Sequence, residues 1–348
     1  MTTNSSHTDR PAKLARLQQL MDDRSAPALQ LTTPETLAWF FDGPRVAVPY
    51  AGAPVFSALV TSQGDVTVTA LANEIDRLRD EELGADLEFR CVPWHQPLPA
   101  AEPGVLRDVD LVGELRAARA SLLPVERARY LELGAEVTRA MSAVLRDATP
   151  ASTEHELAAG LAASVVALGA EPVVLLAAGE QRTGVQHPLP TAARLGRRAM
   201  AVIGARRHGL VVNLTRWVDF DGTEAPADAA LREVEADAFA ATRPGRELRE
   251  VLADIAAAYE RHGFEAEAWL RHHQGGPTGY LGRDPKATPA SRDRVVAGQA
   301  FAWNPSVAGA KLEDTVIIDG DGIEIVTVDP DWPTIDVRGL PRPLALTH

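Results

Sequence analysis

Three histidines and one glutamate stand out as groups that could move protons. His187 lies in HPLPT (187–191). His272 and His273 open the glycine-rich stretch HHQGGPTGYLGRD (272–284), and Glu313 lies in LEDT (312–315). The ordinary histidine pKa of about 6.5 leaves both protonation forms populated near neutrality, which suits a general acid/base. Glycines let backbone approach a ligand closely, which favours His273 as a second proton carrier or hydrogen-bond donor. His272 reads as structural. Glu313 has two readings: it orients a water or pairs with a cationic substrate group, or it forms a buried ion pair with Arg216. Asn213 and Asn304 offer neutral hydrogen-bonding groups and Tyr280 a hydroxyl. Trp303 either packs or stacks on a substrate. His95, His155, His208 and His262 lie in helical, turn or Pro-rich contexts and read as solvated.

These residues need elements to hold them. Leu14, Leu17, Leu20 and Met21 share one face of a helix over 11–21. Thr33 with Pro34 starts another. ALQLT, RVAVPY, FSALVT, VTVTALA and DLEFRCVPW read as strands, with SQGD as a hairpin turn. From Pro124 a long amphipathic helix begins, and Thr153 with Glu156 forms a capping box for the next. RRAMAVIGARRHGLVVNLTRWVDFDG reads as two long strands turning at His208-Gly209. Two helices follow, stopped by Gly263, and the chain ends in strands with GDG (320–322) as a turn. Strands and helices fall into blocks, which predicts an α+β fold.

The chain has 348 residues and a formal net charge of -13. Such acidity argues against a nucleic-acid partner, which would need clustered Lys and Arg. A single cysteine, Cys91, excludes an internal disulfide framework and a Cys-based zinc site. It reads as a packed strand residue and fits a reducing, cytoplasmic setting. The polar first ten residues read as a frayed tail without a secretory h-region. No apolar stretch reaches the ~20 residues that span a bilayer, so no membrane association is expected.

The order TPASTEHELAA, HPLPT, GARRHGLVVNLTR, HHQGGPTGYLGRD, FAWNP and LEDT resembles the creatinase / aminopeptidase P / prolidase family. LQQLMDDRSAPALQLTTPETLAWFFDG agrees with that family's N-terminal domain. The resemblance covers residues 10–340. It implies a creatinase-like N-terminal α/β domain over 10–122 and a C-terminal pita-bread domain over 123–342. Metallopeptidases of this family hold two metal ions with two Asp, one His and two Glu. The matching positions here are Val202, Asn213, His273, Asn304 and Glu313, so only His273 and Glu313 keep the ligand type. Hard divalent ions need carboxylate charge, and one carboxylate cannot offset two of them. No metal or other cofactor is therefore expected.

Creatinase gives the resemblance a metal-free precedent, in which a histidine matching His187 serves as acid/base on a C–N bond. YLGRD resembles a creatinase run, with Asp284 standing for a Glu. Tyr280 lies close to where the family places a second His. The leading expectation is a metal-independent hydrolase of a C–N or amide-type bond in a small molecule or short peptide. Its catalytic residues would be His187, His273 and Glu313, and its substrate-binding residues Asn213, Asn304, Tyr280, Arg216 and Trp303. A lyase or isomerase would use the same equipment. Two other readings stand: a metal-dependent Xaa-Pro aminopeptidase or prolidase, and a non-catalytic binding protein. The family also implies a homodimer.

Overall fold

A computed structural model describes residues 8–222, 225–320 and 322–348. The predicted tail falls mostly on 1–7 and the GDG turn includes 321, so both extend outside the described residues. The chain divides into two compact units, 1–128 with 208–210, and 129–207 with 211–348.

The first unit is a five-stranded mixed sheet. Its order is Glu88–Val92, Val66–Leu71, Phe56–Thr61, Ala28–Leu31 and Leu106–Arg107. The helices Arg10–Asp23, Pro34–Phe40 and Val112–Ala120 bury Leu17, Met21, Leu37 and Trp39. Lys13 is also fully buried, and its ammonium pairs with Asp42 at 2.6 Å and Glu126 at 2.9 Å. Two local expectations fail here. RVAVPY (45–50) forms no strand, because its short alternation ends at Pro49 in a turn closed by the Gly52 amide on the Pro49 carbonyl. Cys91 lies on Glu88–Val92 as expected, but on an exposed face of this edge strand.

The second unit carries two four-stranded sheets. One runs Leu346–Thr347, Leu210–Asp219, Arg198–Arg207, Glu171–Gly179; the other runs Gly322–Ile325, Asp314–Asp319, Ala300–Trp303, Gly275–Thr278. Helix Glu154–Ala167 starts with the expected capping box, Thr153 and Glu156 each accepting from the other's backbone amide. Helices Pro226–Ala241 and Leu248–Arg261 bury one face against the second sheet, around Phe239, Tyr259, Phe301 and Trp303. This is the expected α+β architecture.

The two sheets meet along Leu210–Asp219. The Val211 amide donates to the Gly279 carbonyl at 2.7 Å, and the Thr215 amide to the Glu313 carbonyl at 2.9 Å. The Asn213 amide bonds the Thr315 hydroxyl at 2.8 Å. This seam brings Asn213, Thr215, Thr278 and Glu313 together.

Gly275 shows how tightly the seam is built. Its φ is +103°, and a Cβ there would lie 2.1 Å from the Ala302 carbonyl oxygen on the neighbouring strand. Both left-handed strain and a backbone clash oppose any side chain. Gly275→Ala should cost at least ~2 kcal/mol in urea unfolding. An unchanged midpoint and slope would contradict this packing.

Candidate active site

His187 sits on a loop that follows strand Glu171–Gly179, and the buried carboxylate of Glu154 holds that loop. Glu154 accepts from the Gly179 amide at 2.8 Å, the Thr191 amide at 2.9 Å and the Thr191 hydroxyl at 2.7 Å. Arg182 pairs with it as well. Farther along, the Pro188 carbonyl accepts from the Ala177 amide at 3.1 Å, and Gln186 accepts from the Ser306 hydroxyl at 3.2 Å. His187 is thus fixed from both sides while its ring stays exposed.

His272 and His273 enter just before strand Gly275–Thr278. Gln274 anchors them: its amide nitrogen donates to the His272 carbonyl at 2.8 Å, and its side-chain oxygen accepts from the Tyr259 hydroxyl at 2.8 Å. The two rings stack with centroids 4.3 Å apart. His272 Nε2 lies 3.0 Å from His187 Nε2, a hydrogen bond in which one ring donates and the other accepts. Ligating nitrogens of all three histidines fall within 4.8 Å of one another. His272, read from sequence as structural, is therefore a member of the cluster.

Glu313 is buried and its carboxylate is fully engaged. Arg283 Nη2 bonds Oε1 at 2.5 Å, while Lys311 Nζ at 3.3 Å and the Thr215 hydroxyl at 3.2 Å reach Oε2. The expected pairing with Arg216 does not occur. Arg216 instead bonds Asp314 at 2.8 Å, with the Thr327 and Thr215 carbonyls, on the opposite face of the strands. Its two Nη atoms are engaged there, away from Glu313, while its Nε has no partner among the described residues. Trp303 is also fully buried; its indole N–H bonds the Thr242 hydroxyl at 2.9 Å, so it packs and does not stack on a substrate. Asn213 bonds the Thr278 hydroxyl at 3.2 Å. Asn304 is 2% exposed, and its side-chain oxygen has no partner among the described residues. Tyr280 is buried in the segment after Gly275–Thr278. Of the remaining histidines, His95, His155 and His208 are exposed, whereas His262 bonds Asp237 at 2.8 Å.

The electrostatics follow from two cations facing one carboxylate, which leaves a net positive charge. Burial pushes the Glu313 carboxyl up, but Lys311 and Arg283 outweigh it and hold its pKa at about 2. Burial lowers the Lys311 ammonium, with Glu313 opposing. Burial, then Lys311 and His187, bring His272 down to about 4. Burial, then His272 and Arg283, bring His273 to about 3. Burial, then Lys311 and Lys286, lower His187. The lowered pKa values keep His187, His272 and His273 as neutral imidazoles at pH 7.

The metal pair that the resemblance implies does not fit these residues. Val202 is packed among Leu176, Met200 and Trp217 and offers no donor. Asn213 and Asn304 are neutral. Both Glu313 oxygens face the chain's own cations. Lys311, Arg283 and Glu154 escaped the sequence reading. KLED did place a lysine two residues before Glu313, on the same parity, and that was a usable signal.

The sequence model for "Metallopeptidase family M24" matches residues 129–320. No curated protein matches the sequence. Among solved structures, the dipeptidase PepE of Mycobacterium ulcerans aligns with 19% identity and TM-score 0.72, over 92% of this chain and 96% of its own. The prolidase of Pyrococcus horikoshii OT3 aligns with 17% identity and TM-score 0.72, over 91% and 98%. The N-terminal domain of the FACT complex subunit SPT16 from chickpea (Cicer arietinum) aligns with 13% identity and TM-score 0.63, over 92% and 97%. At these identities the likenesses establish the fold. None of these relatives favours a lyase or isomerase.

Two outcomes follow from the geometry. Glu154→Ala strands the Arg182 guanidinium and two backbone amides, and should cost about 3 kcal/mol in urea unfolding; a loss under ~0.5 kcal/mol would contradict the anchoring role. The second concerns acid. His272 and His273 have folded pKa values, about 4 and about 3, below the unfolded value of about 6.5. Their neutral burial therefore contributes stability that is complete above pH ~6.5 and is lost as pH falls toward 4 and 3. Melting temperature should drop between pH 6.5 and 4, and His272→Gln should flatten that drop.

Proposed function

The chain belongs to metallopeptidase family M24, a family of peptidase-type hydrolases, and from that premise we propose that it is a metal-independent, creatinase-like hydrolase. It cleaves a C–N or amide-type bond in a small polar molecule or short peptide, with His187 as general acid/base. The observation that carries this reading is Glu313 held between Lys311 and Arg283. The family's ion-binding carboxylate is neutralised here by side chains of the same chain.

The chemistry balances on these groups alone. His187, already neutral, takes a proton from water as the water oxygen bonds to the carbonyl or amidine carbon. The C–N bond then breaks, and His187 returns the proton to the departing nitrogen. His272 orients His187 through their 3.0 Å hydrogen bond and fixes its tautomer. Negative charge growing on a carbonyl oxygen is met by Lys311 and Arg283, in a dry setting where such a donor is worth ~10²–10³ in kcat. Asn304, with its unpartnered buried oxygen, is a hydrogen-bond acceptor for a substrate N–H. Asn213 and Tyr280 complete the proposed binding set. His273, stacked on His272, acts through it.

Two other readings remain distinct. The family name leads to a metal-dependent Xaa-Pro aminopeptidase or prolidase, which would need an ion to displace both cations from Glu313. The third reading is a non-catalytic binding role; the domain of a FACT complex subunit, SPT16, shares the fold. Metal-free full-length protein assayed against amide, ureido and guanidino compounds separates the three. On this proposal kcat/KM rises with pH through an apparent pKa below ~6.5, because His187 is lowered and must be deprotonated. His187→Ala should lower kcat/KM ~10²–10⁴-fold. Unchanged turnover in that variant, or about two tightly bound ions per chain that activity requires, would overturn the assignment.

A further inference from the structure

We propose that His187, His272 and His273 form an all-histidine binding site for one late first-row divalent ion such as Zn²⁺, which shares only His273 with the positions matching the family's carboxylate-rich site. The ligand chemistry is all imidazole. One nitrogen from each ring lies within 4.8 Å of the other two. Two ligands on one tetrahedral zinc, at ~2.0–2.1 Å each, stand ~3.3 Å apart. His187 Nε2 and His272 Nε2 are already 3.0 Å apart. The ring of His273 lies against His272, with centroids 4.3 Å apart, and brings a third nitrogen within 4.8 Å of the other two. His273 Nδ1 makes no hydrogen bond among the described residues although it is buried. An unpartnered buried ring nitrogen is the kind of atom that an ion would satisfy.

The three rings differ in access, which gives the site an entrance. His272 is buried, His273 half-buried and His187 exposed. An ion arriving from solvent meets His187 first and leaves a fourth position open for water or an anion, the arrangement of three-ligand zinc sites. Neutral imidazoles favour Zn²⁺, Cu²⁺, Ni²⁺ or Co²⁺ and disfavour Mg²⁺ and Mn²⁺, which seek oxygen. Lys311 and Arg283 do not hold the ion, because as cations they offer it no lone pair, and Glu313 offsets one of their two charges. An ion here would take the lone pair that His187 needs for proton transfer. That consequence rests on the reading of His187 given above; the binding itself does not.

The test is therefore binding, read without turnover. Full-length protein freed of metal with a chelator is titrated with ZnCl₂ against a chromophoric zinc indicator. One Zn²⁺ per chain is expected, with Mg²⁺ at least ~100-fold weaker. His187→Ala, on an exposed loop, and His272→Ala should each weaken Zn²⁺ binding at least ~100-fold, while Glu313→Gln changes it less than ~3-fold. Circular dichroism confirms that each variant is folded. Absence of saturable zinc binding in the parent protein overturns the site. So does binding that survives His187→Ala and His272→Ala but disappears with Glu313→Gln, which would put the ion at the family position.

Discussion

Glu313, pressed between Lys311 and Arg283, is the contact on which the rest of the site depends. A buried carboxylate is costly unless its lone pairs are met and its charge is matched. Here Arg283 meets one oxygen, and Lys311 with the Thr215 hydroxyl meets the other. The match overshoots by one positive charge. A unit charge about 4 Å away in a medium of effective dielectric ~20 is worth about 4 kcal/mol, while a pKa unit is worth about 1.4 kcal/mol. One uncompensated cation is therefore enough, with burial, to keep neighbouring imidazoles unprotonated. The lowering of His187, His272 and His273 includes Lys311 among its causes in every case. A change at Lys311 would thus reach all three histidines without touching their backbone.

What stands behind that contact is a second set of charges, kept apart by the pleat of the strand. Glu313 and Asp314 are consecutive, so they face opposite sides. Asp314 accepts from Arg216 at 2.8 Å, from Arg342 at 2.7 Å and from the Thr327 hydroxyl at 2.5 Å. Arg342 spans to Glu235 through two bonds of 2.6 and 2.8 Å. Two arginines face two carboxylates there, so the rear cluster is balanced where the front one is not. The same pleat separates Thr215 from Arg216 and Asn304 from Trp303, each time sending one residue to the seam and the next to the interior.

That alternation explains much of what the sequence reveals and conceals. The long hairpin around His208-Gly209, the capping box at Thr153 and the α+β segregation follow from period, turn and cap chemistry that acts within a few residues. His187, His273 and Glu313 could be singled out because their motifs keep a recognisable order. Arg216 alternates with Thr215 along its strand and so points away from Glu313, and Trp303 shares the face of Phe301, with which it stacks at 5.7 Å. Parity alone would also mislead for His272. Adjacent residues on a regular strand diverge, yet His272 and His273 stack, because both precede the strand Gly275–Thr278 and lie outside regular strand geometry. Arg283 and Glu154 act across gaps of 30 and 37 residues, to Glu313 and to Thr191. No local pattern announces such partners.

The departures from the family's ligand set are physically linked. Replacing carboxylates by Val202, Asn213 and Asn304 removes negative charge from a buried place. If Glu313 had remained there with neither ions nor cations, its carboxyl would have been driven up and protonated. Lys311 and Arg283 prevent that, and their cost is in turn reduced because Glu313 remains. The three charged residues are conditional on one another: loss of Glu313 leaves two buried cations unmatched, and loss of either cation takes the charged partner from one Glu313 oxygen. Apolar Val202, on Arg198–Arg207, joins the packing around Trp217. Within the M24 fold, Glu313 takes its counter-charge from Lys311 and Arg283 of the same chain.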